Sequence, residues 1–417
     1  MNQERLILEI ESCGPIKESV LTLPERGIVI VMGPNMSGKS LLVASLGAAA
    51  TAYLLTSDGR TIGTLAERLI DEVWSESYTG VVDPLEYLSS IPEIEYRDPK
   101  ELLRRLDEII AKGGALNTKS YLRRAILAAE LCLSRGVAPW GERRYRPFTV
   151  KISLKGPEGE LRGYIVASLP GPDVKVQGTS ALSSSVDLML PEELWGLNVG
   201  VPDKFLRMCY ASEEKSPAAS FIKALMNVID YSPPSRAYDK LLDLLLVSWK
   251  EISGYEVDRD DVVISKRGVE GPWISIGGVS FPWKYTSEGV MNLLAHWLIL
   301  KILPLFKEEG RRPLIAFEEP ESHLDPYAAY LLPQFYAELI KYSNAIIILS
   351  THSEMLVKGL EDAVAKNVLS PEEVKVYETR GKYPSFTLVE CRVREEGYVE
   401  ESRLTKIAER LISGELP

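Results

Sequence analysis

Near the N-terminus, two short stretches at residues 5–10 (RLILEI) and 18–23 read as strands. Gly27–Met32 (GIVIVM) then forms an unbroken β-branched run, which predicts a strand buried on both faces. It passes directly through GPNMSGKS into LLVASLGAAATAYLL, a small-residue and apolar stretch suited to a helix lying tight beneath a sheet. Helical spacing returns over 100–135, and residues 148–169 read as a β-hairpin turning at Gly156–Gly159. A further helical region over 217–253 is interrupted by SPPS at 232–235. Two short strands follow within 262–278, then a long amphipathic helix over Thr286–Phe306. The strand LIAF, a helix over Tyr327–Lys341, the strand AIIILS and a helix after His352 come next. This alternation implies a parallel sheet with right-handed crossovers. The tail adds VKVYETR and FTLVECRV, expected to form an edge hairpin, and a final helix.

Composition narrows the class without choosing a function. The chain has 417 residues, 45% hydrophobic and 26% charged, as an ordinary globular protein does. Its net charge of −11 does not mark the whole surface for nucleic acid, although a local basic face remains compatible with that total. Cys13, Cys132, Cys209 and Cys391 have no CxxC spacing, so neither a zinc framework nor a disulfide set is suggested, and a reducing cytoplasmic location is the simplest expectation. The N-terminus is acidic and unlike a signal peptide, and the longest apolar stretch, Asn292–Phe306, is too short to span a bilayer. Only Gln3, Gln177 and Gln334 are glutamines, a depletion that fits a thermophile.

Gly33-Pro34-Asn35-Met36-Ser37-Gly38-Lys39-Ser40 fits GxxxxGK[ST], with a strand before it and a helix beginning near Lys39 after it, and Leu41 is counted with the loop as nucleotide-binding. The chemistry demands these types. Glycines let backbone amides turn toward phosphate oxygens, and the helix adds its positive end. Lys39 can reach the β and γ phosphates of ATP, and Ser40 can ligate Mg²⁺. Met36 stands where a glycine often sits.

The segment LIAFEEPESHLDP, 314–326, buries a strand and then places charges at its tip. Ionised carboxylates are costly to desolvate unless a metal or another charge meets them. A strand beside the phosphate loop that delivers acid to a metal would explain the pair: Glu318 would hold Mg²⁺ and Glu319 would align the attacking water. EEPESHLDP resembles the extended acidic strand and D-loop of ATP-binding-cassette (ABC) type ATPases, most closely the soluble branch with RecF, SMC heads and OLD-like (overcoming lysogenization defect) ATPases. Two further stretches match in family order. Tyr285-Thr286-Ser287-Glu288-Gly289 resembles the signature motif in its shortened form, where a serine caps a helix. Thr351-His352-Ser353 resembles the switch histidine that touches the γ-phosphate. No convincing Q-loop is visible, Gln177 being a weak candidate, and no adenine-stacking aromatic precedes Gly33.

The resemblance implies a P-loop NTPase head of the α/β class, with a mixed or parallel sheet core, an antiparallel β lobe and helical insertions. Its expected parts are 1–69 with the phosphate loop, a basic helical insertion at 70–147, a β lobe at 148–200, a helical subdomain at 201–260, and a second ATPase lobe at 261–417. It further implies an Mg²⁺-dependent ATPase whose two copies pair head to tail around ATP. Ser287, Glu288 and Gly289 of one subunit would complete the site of Lys39, Ser40, Glu318, Glu319 and His352 of the other, with Asp325 at the seam. Between Lys100 and Arg146 there are eleven lysines and arginines against five acids, ending in the basic and aromatic run around Arg143, Arg144 and Arg146. That run reads either as a solvated helix face or as a nucleic-acid contact. Two roles stay open: an ATPase of DNA repair, recombination or genome maintenance, and the regulatory ATPase of a multi-protein defence system with a separate effector or nuclease chain. A transporter subunit is a third.

Overall fold

β3 (Gly27–Met32) is buried at every residue, as its unbroken apolar run requires. In the computed structural model it lies inside an 11-stranded mixed sheet ordered β6-β5-β4-β1-β2-β14-β13-β3-β12-β11-β7. The structure describes residues 5–56, 148–169, 186–191, 194–210, 233–253, 256–266, 271–308 and 312–400. Gln177, the segment 100–146 with Arg143, Arg144 and Arg146, and the final helix of the tail lie outside them.

One half of the sheet is antiparallel: β1 (Ile7–Cys13), β2 (Ile16–Thr22), β4 (Phe148–Lys155), β5 (Leu161–Leu169) and β6 (Val186–Met189). Strands β4 and β5 are the hairpin expected around Gly156–Gly159. The other half is parallel: β3, β11 (Arg312–Glu318), β12 (Ile346–Thr351), β7 (Leu194–Gly200) and β13 (Val374–Lys382). β7 falls within the span assigned to the β lobe, yet it pairs with β11 at the far edge of the parallel half.

The tail strands correct a second expectation. β13 and β14 (Ser385–Cys391) do form a hairpin, but in mid-sheet instead of at an edge. β13 pairs with β3, and β14 meets β2 at Phe386 and Ile16. The hairpin therefore joins the two halves. Most of β13 is buried, including Val376, Tyr377, Glu378 and Thr379, and that burial needs cover on both faces. The strands within 262–278 likewise sit apart from the antiparallel half. β8 (Val262–Lys266), β9 (Pro272–Ile276) and β10 (Val279–Pro282) form their own three-stranded sheet.

Helix α1 (Lys39–Thr56) packs against β7, β11 and β12. Thr51 ties it there: its Oγ1 accepts from Asn198 N at 2.8 Å and donates to Gly47 O at 2.9 Å. Helices α2 (Pro202–Tyr210), α3 (Ser235–Ser253), α4 (Glu288–Glu308), α5 (Pro326–Ser343) and α6 (Glu354–Ala365) complete the described set. α4 packs on α2, α3 and α5, while α5 also packs on α6, β3 and β12. α4 is buried almost all round from Val290 to Leu303, not on one stripe as expected. It is enclosed by helices as well as by the sheet. Among the described residues no helix is long and apolar enough to cross a membrane.

A candidate nucleotide site at the strand ends

The parallel strands deliver their C-terminal ends to one side of the sheet, where ligand sites form in such folds. β3 ends at Met32 and the chain turns at Gly33, whose φ of 142° excludes other residues. A Cβ on Gly33 would also lie 1.9 Å from Thr379 Oγ1. Pro34, Asn35 and Met36 are exposed, and Met36 adopts a left-handed φ of 65°. Ser37 is buried, and its Oγ accepts from Thr379 Oγ1 at 2.8 Å. Lys39 and Ser40 open α1, with Leu41 buried beneath them, and Lys39 Nζ donates to Pro34 O at 2.9 Å. The ammonium thus lies across its own loop.

The acidic pair stands two strands away. β12 lies between β3 and β11, so the acid strand is not the direct neighbour of the phosphate-loop strand, as expected, but the next one over. The site closes all the same because β12 ends in the switch segment. Glu318 is the last residue of β11 and is buried. Glu319 turns the chain with a left-handed φ of 45°, its amide donating to Ser350 O at 2.9 Å. A non-glycine residue held there stores strain that the surrounding bonds must support. Glu319 Oε1 stands 3.6 Å from His352 Nε2. Burial pushes the His352 pKa down, the positive charge of Lys39 pushes it further, and Glu319 opposes. Lys39, Glu319 and His352 therefore share one electrostatic neighbourhood, in which burial and Lys39 disfavour the charged imidazole.

The loop after β11 rests on a polar network inside the protein. Asn292 Nδ2 donates to Pro320 O at 2.9 Å and to Ser322 O at 2.8 Å. His296 links Asn292 O (2.9 Å) to the Tyr336 hydroxyl (3.0 Å), and burial lowers its pKa to about 4. Glu321 accepts a short hydrogen bond from Thr351 Oγ1, and burial raises its pKa. Asp325 caps α5, accepting from Tyr327 N at 2.9 Å and Ala328 N at 2.8 Å. Ser287 caps α4, its Oγ accepting from Val290 N at 3.3 Å. Ser287 and Glu288 are exposed, whereas Gly289 is buried, since a Cβ there would sit 2.6 Å from His323 O. Within one chain the signature segment thus packs on the loop after β11.

Two supporting residues were not singled out from sequence. Thr379 comes more than three hundred residues after the loop it braces and carries no local signal. Asn292 does carry one, as a polar residue in the apolar stretch of a buried helix.

The family model described as AAA ATPase domain matches residues 210–357, which include the signature segment, the acidic pair and His352. Over those residues the chain is similar to an AAA ATPase domain. Solved structures similar to the chain include the SMC head domain from Thermotoga maritima, at 12% identity, 94% of this chain, 99% of that chain and TM-score 0.37. Another is the recombination mediator protein RecF with ATPrS in the RecFOR pathway, at 11%, 93%, 99% and 0.34. A third is the Smc head domain bound to the C-terminal domain of ScpA derived from Pyrococcus furiosus, at 11%, 99%, 100% and 0.33. No curated protein matches the chain. The residues present fit Mg²⁺: the Ser40 hydroxyl and the buried Glu318 carboxylate are hard oxygen donors of the kind it takes.

Proposed function

We propose that the ATPase hydrolyses ATP at the ends of β3, β12 and β11, and that two copies close head to tail around the nucleotide. The observation that carries this is the convergence of Lys39, Glu319 and His352. The amides of Gly33–Leu41 and the Lys39 ammonium hold the β and γ phosphates. Ser40 and Glu318 would hold Mg²⁺, which supplies positive charge against the phosphate oxygens. Glu319 orients a water and accepts its proton as the water oxygen bonds to the γ-phosphorus and the bond to the ADP oxygen breaks. Neutral His352 shares a hydrogen bond with the water or the γ-phosphate. Ser287, Glu288 and Gly289 approach the γ-phosphate from the other copy, with Asp325 at the seam, so ATP bridges the copies and ADP does not.

Glu319→Gln tests the scheme. Its ATP turnover should be nearly abolished while ATP still drives dimers, seen by light scattering. A variant that stays monomeric with ATP would refute the paired arrangement.

For the partner we favour nucleic acid and a role in DNA repair or genome maintenance. The support is the excess of six positive charges between Lys100 and Arg146 in a chain of net charge −11. Turnover measured with single- and double-stranded DNA should rise, and charge reversal at Arg143, Arg144 and Arg146 should remove the rise. No stimulation, together with stable co-purification of another protein, would favour the regulatory subunit of a defence system.

A further inference from the structure

Three side chains meet away from the phosphate loop, where the first turn of α2, the start of α4 and the loop after β11 come together. Asp203, Glu288 and His323 each present one ligand atom, and the three atoms lie within 4.8 Å of one another. His323 Nδ1 is 3.1 Å from Glu288 Oε2. Asp203 supplies a second, separate observation. It is only 3% exposed, and its buried Oδ1 accepts no hydrogen bond from any described residue. A buried carboxylate oxygen left without a donor is costly. Something positive is expected to face it. Arg207 does so incompletely: its Nε is 3.9 Å from Asp203 Oδ2, and its Nη2 is 3.4 Å from Glu288 Oε1. Both distances are long for charge-assisted hydrogen bonds, which run about 2.7–2.9 Å.

We propose that Asp203, Glu288 and His323 form a binding site for a divalent transition-metal ion of the zinc class. The donor set of one imidazole nitrogen and two carboxylate oxygens suits Zn²⁺, whereas Mg²⁺ takes oxygen ligands and keeps most of its waters. Ligand atoms about 2.0–2.2 Å from a tetrahedral ion lie about 3.4 Å from one another, so the His323–Glu288 pair, at 3.1 Å, need open by only a few tenths of an ångström. The fourth position is left for water. Glu288 and His323 are each roughly half exposed, so an ion can enter, and Arg207, similarly exposed, can swing away as it does. An ion there would pin the start of the signature helix to the loop that leads to Asp325. The site shares Glu288 with the proposed signature segment, but zinc binding by the chain is read without nucleotide, so its failure and that of the nucleotide reading are separable.

The test is zinc binding by the full chain after chelator treatment, titrated against a chromophoric chelator with excess Mg²⁺ present. The parent should bind one zinc that His323→Gln weakens at least about tenfold. Asp203→Asn should do the same. His323 is exposed enough that its substitution leaves the fold intact if the buried Asp203 variant fails to fold. Arg207→Ala should bind zinc at least as tightly as the parent, because a competing cation has gone. Unchanged affinity in His323→Gln would place any zinc elsewhere and overturn the proposal. Weakened binding in Arg207→Ala would do so too, by showing that the cluster is an ion-pair network that needs its arginine.

Discussion

Glu319 Oε1 faces His352 Nε2 across 3.6 Å, joining the residue that follows β11 to the one that follows β12. The glutamate is held by a left-handed backbone, and burial and Lys39 disfavour protonation of the histidine. Neither group could be placed by its own strand alone. The relationship exists because the two strands are parallel neighbours in register, with Glu318 opposite Ser350.

His352→Ala should lower kcat by about a hundredfold, the usual scale for losing a positioned proton-handling group, with a smaller effect on ATP affinity. The imidazole pKa is lowered in the folded protein, so the parent's kcat should stay level as pH falls from about 8 through 6.5 and decline only below that. A kcat–pH profile falling at or above 6.5 would show that the imidazole is not held neutral by Lys39 and burial.

Thr379→Val keeps the shape beside Gly33 but deletes the hydroxyl that serves Ser37. The buried Ser37 oxygen loses its donor, at about 1–2 kcal/mol. That strain falls on the phosphate loop, so ATP binding should weaken by about 5–30-fold in a nucleotide titration. Unaltered affinity and melting temperature would mean that β13 does not support the loop.

His296 is wholly buried with a pKa near 4, against 6.5 when unfolded. The unfolded chain binds the extra proton first, so this group's stabilisation is complete above about 6.5 and is lost as pH falls toward 4. The loss should reach about 3 kcal/mol. Urea unfolding of the parent and of His296→Leu across that range should show a steeper acid loss in the parent. Parallel curves would mean that the histidine accepts its proton without leaving the core.

The candidate site was legible wherever local chemistry demands a residue type. Gly33 needs its positive φ, Lys39 and Ser40 open a helix after a buried strand, and Ser287 caps a helix, all short-range requirements carried by adjacent residues, whereas the capping by Asp325 was not read from the sequence. The acidic pair was legible because two carboxylates ending an apolar strand are too costly without a purpose. Strand order was not. That β12 separates β3 from β11, and that the tail hairpin sits in mid-sheet, depends on pairing between segments hundreds of residues apart.

The sequence by itself therefore determined the β3–loop–α1 unit, the acid tip and the Ser287 helix cap, since each is set by backbone geometry and charge within a few residues. Tertiary structure alone decided that Thr379 braces Ser37, that Asn292 holds the loop after β11, and that Asp203 meets Glu288 and His323. The physical reason is range. Backbone preference and capping act between chain neighbours, whereas hydrogen bonds and charges between distant segments exist only after burial of the apolar core has brought those segments together.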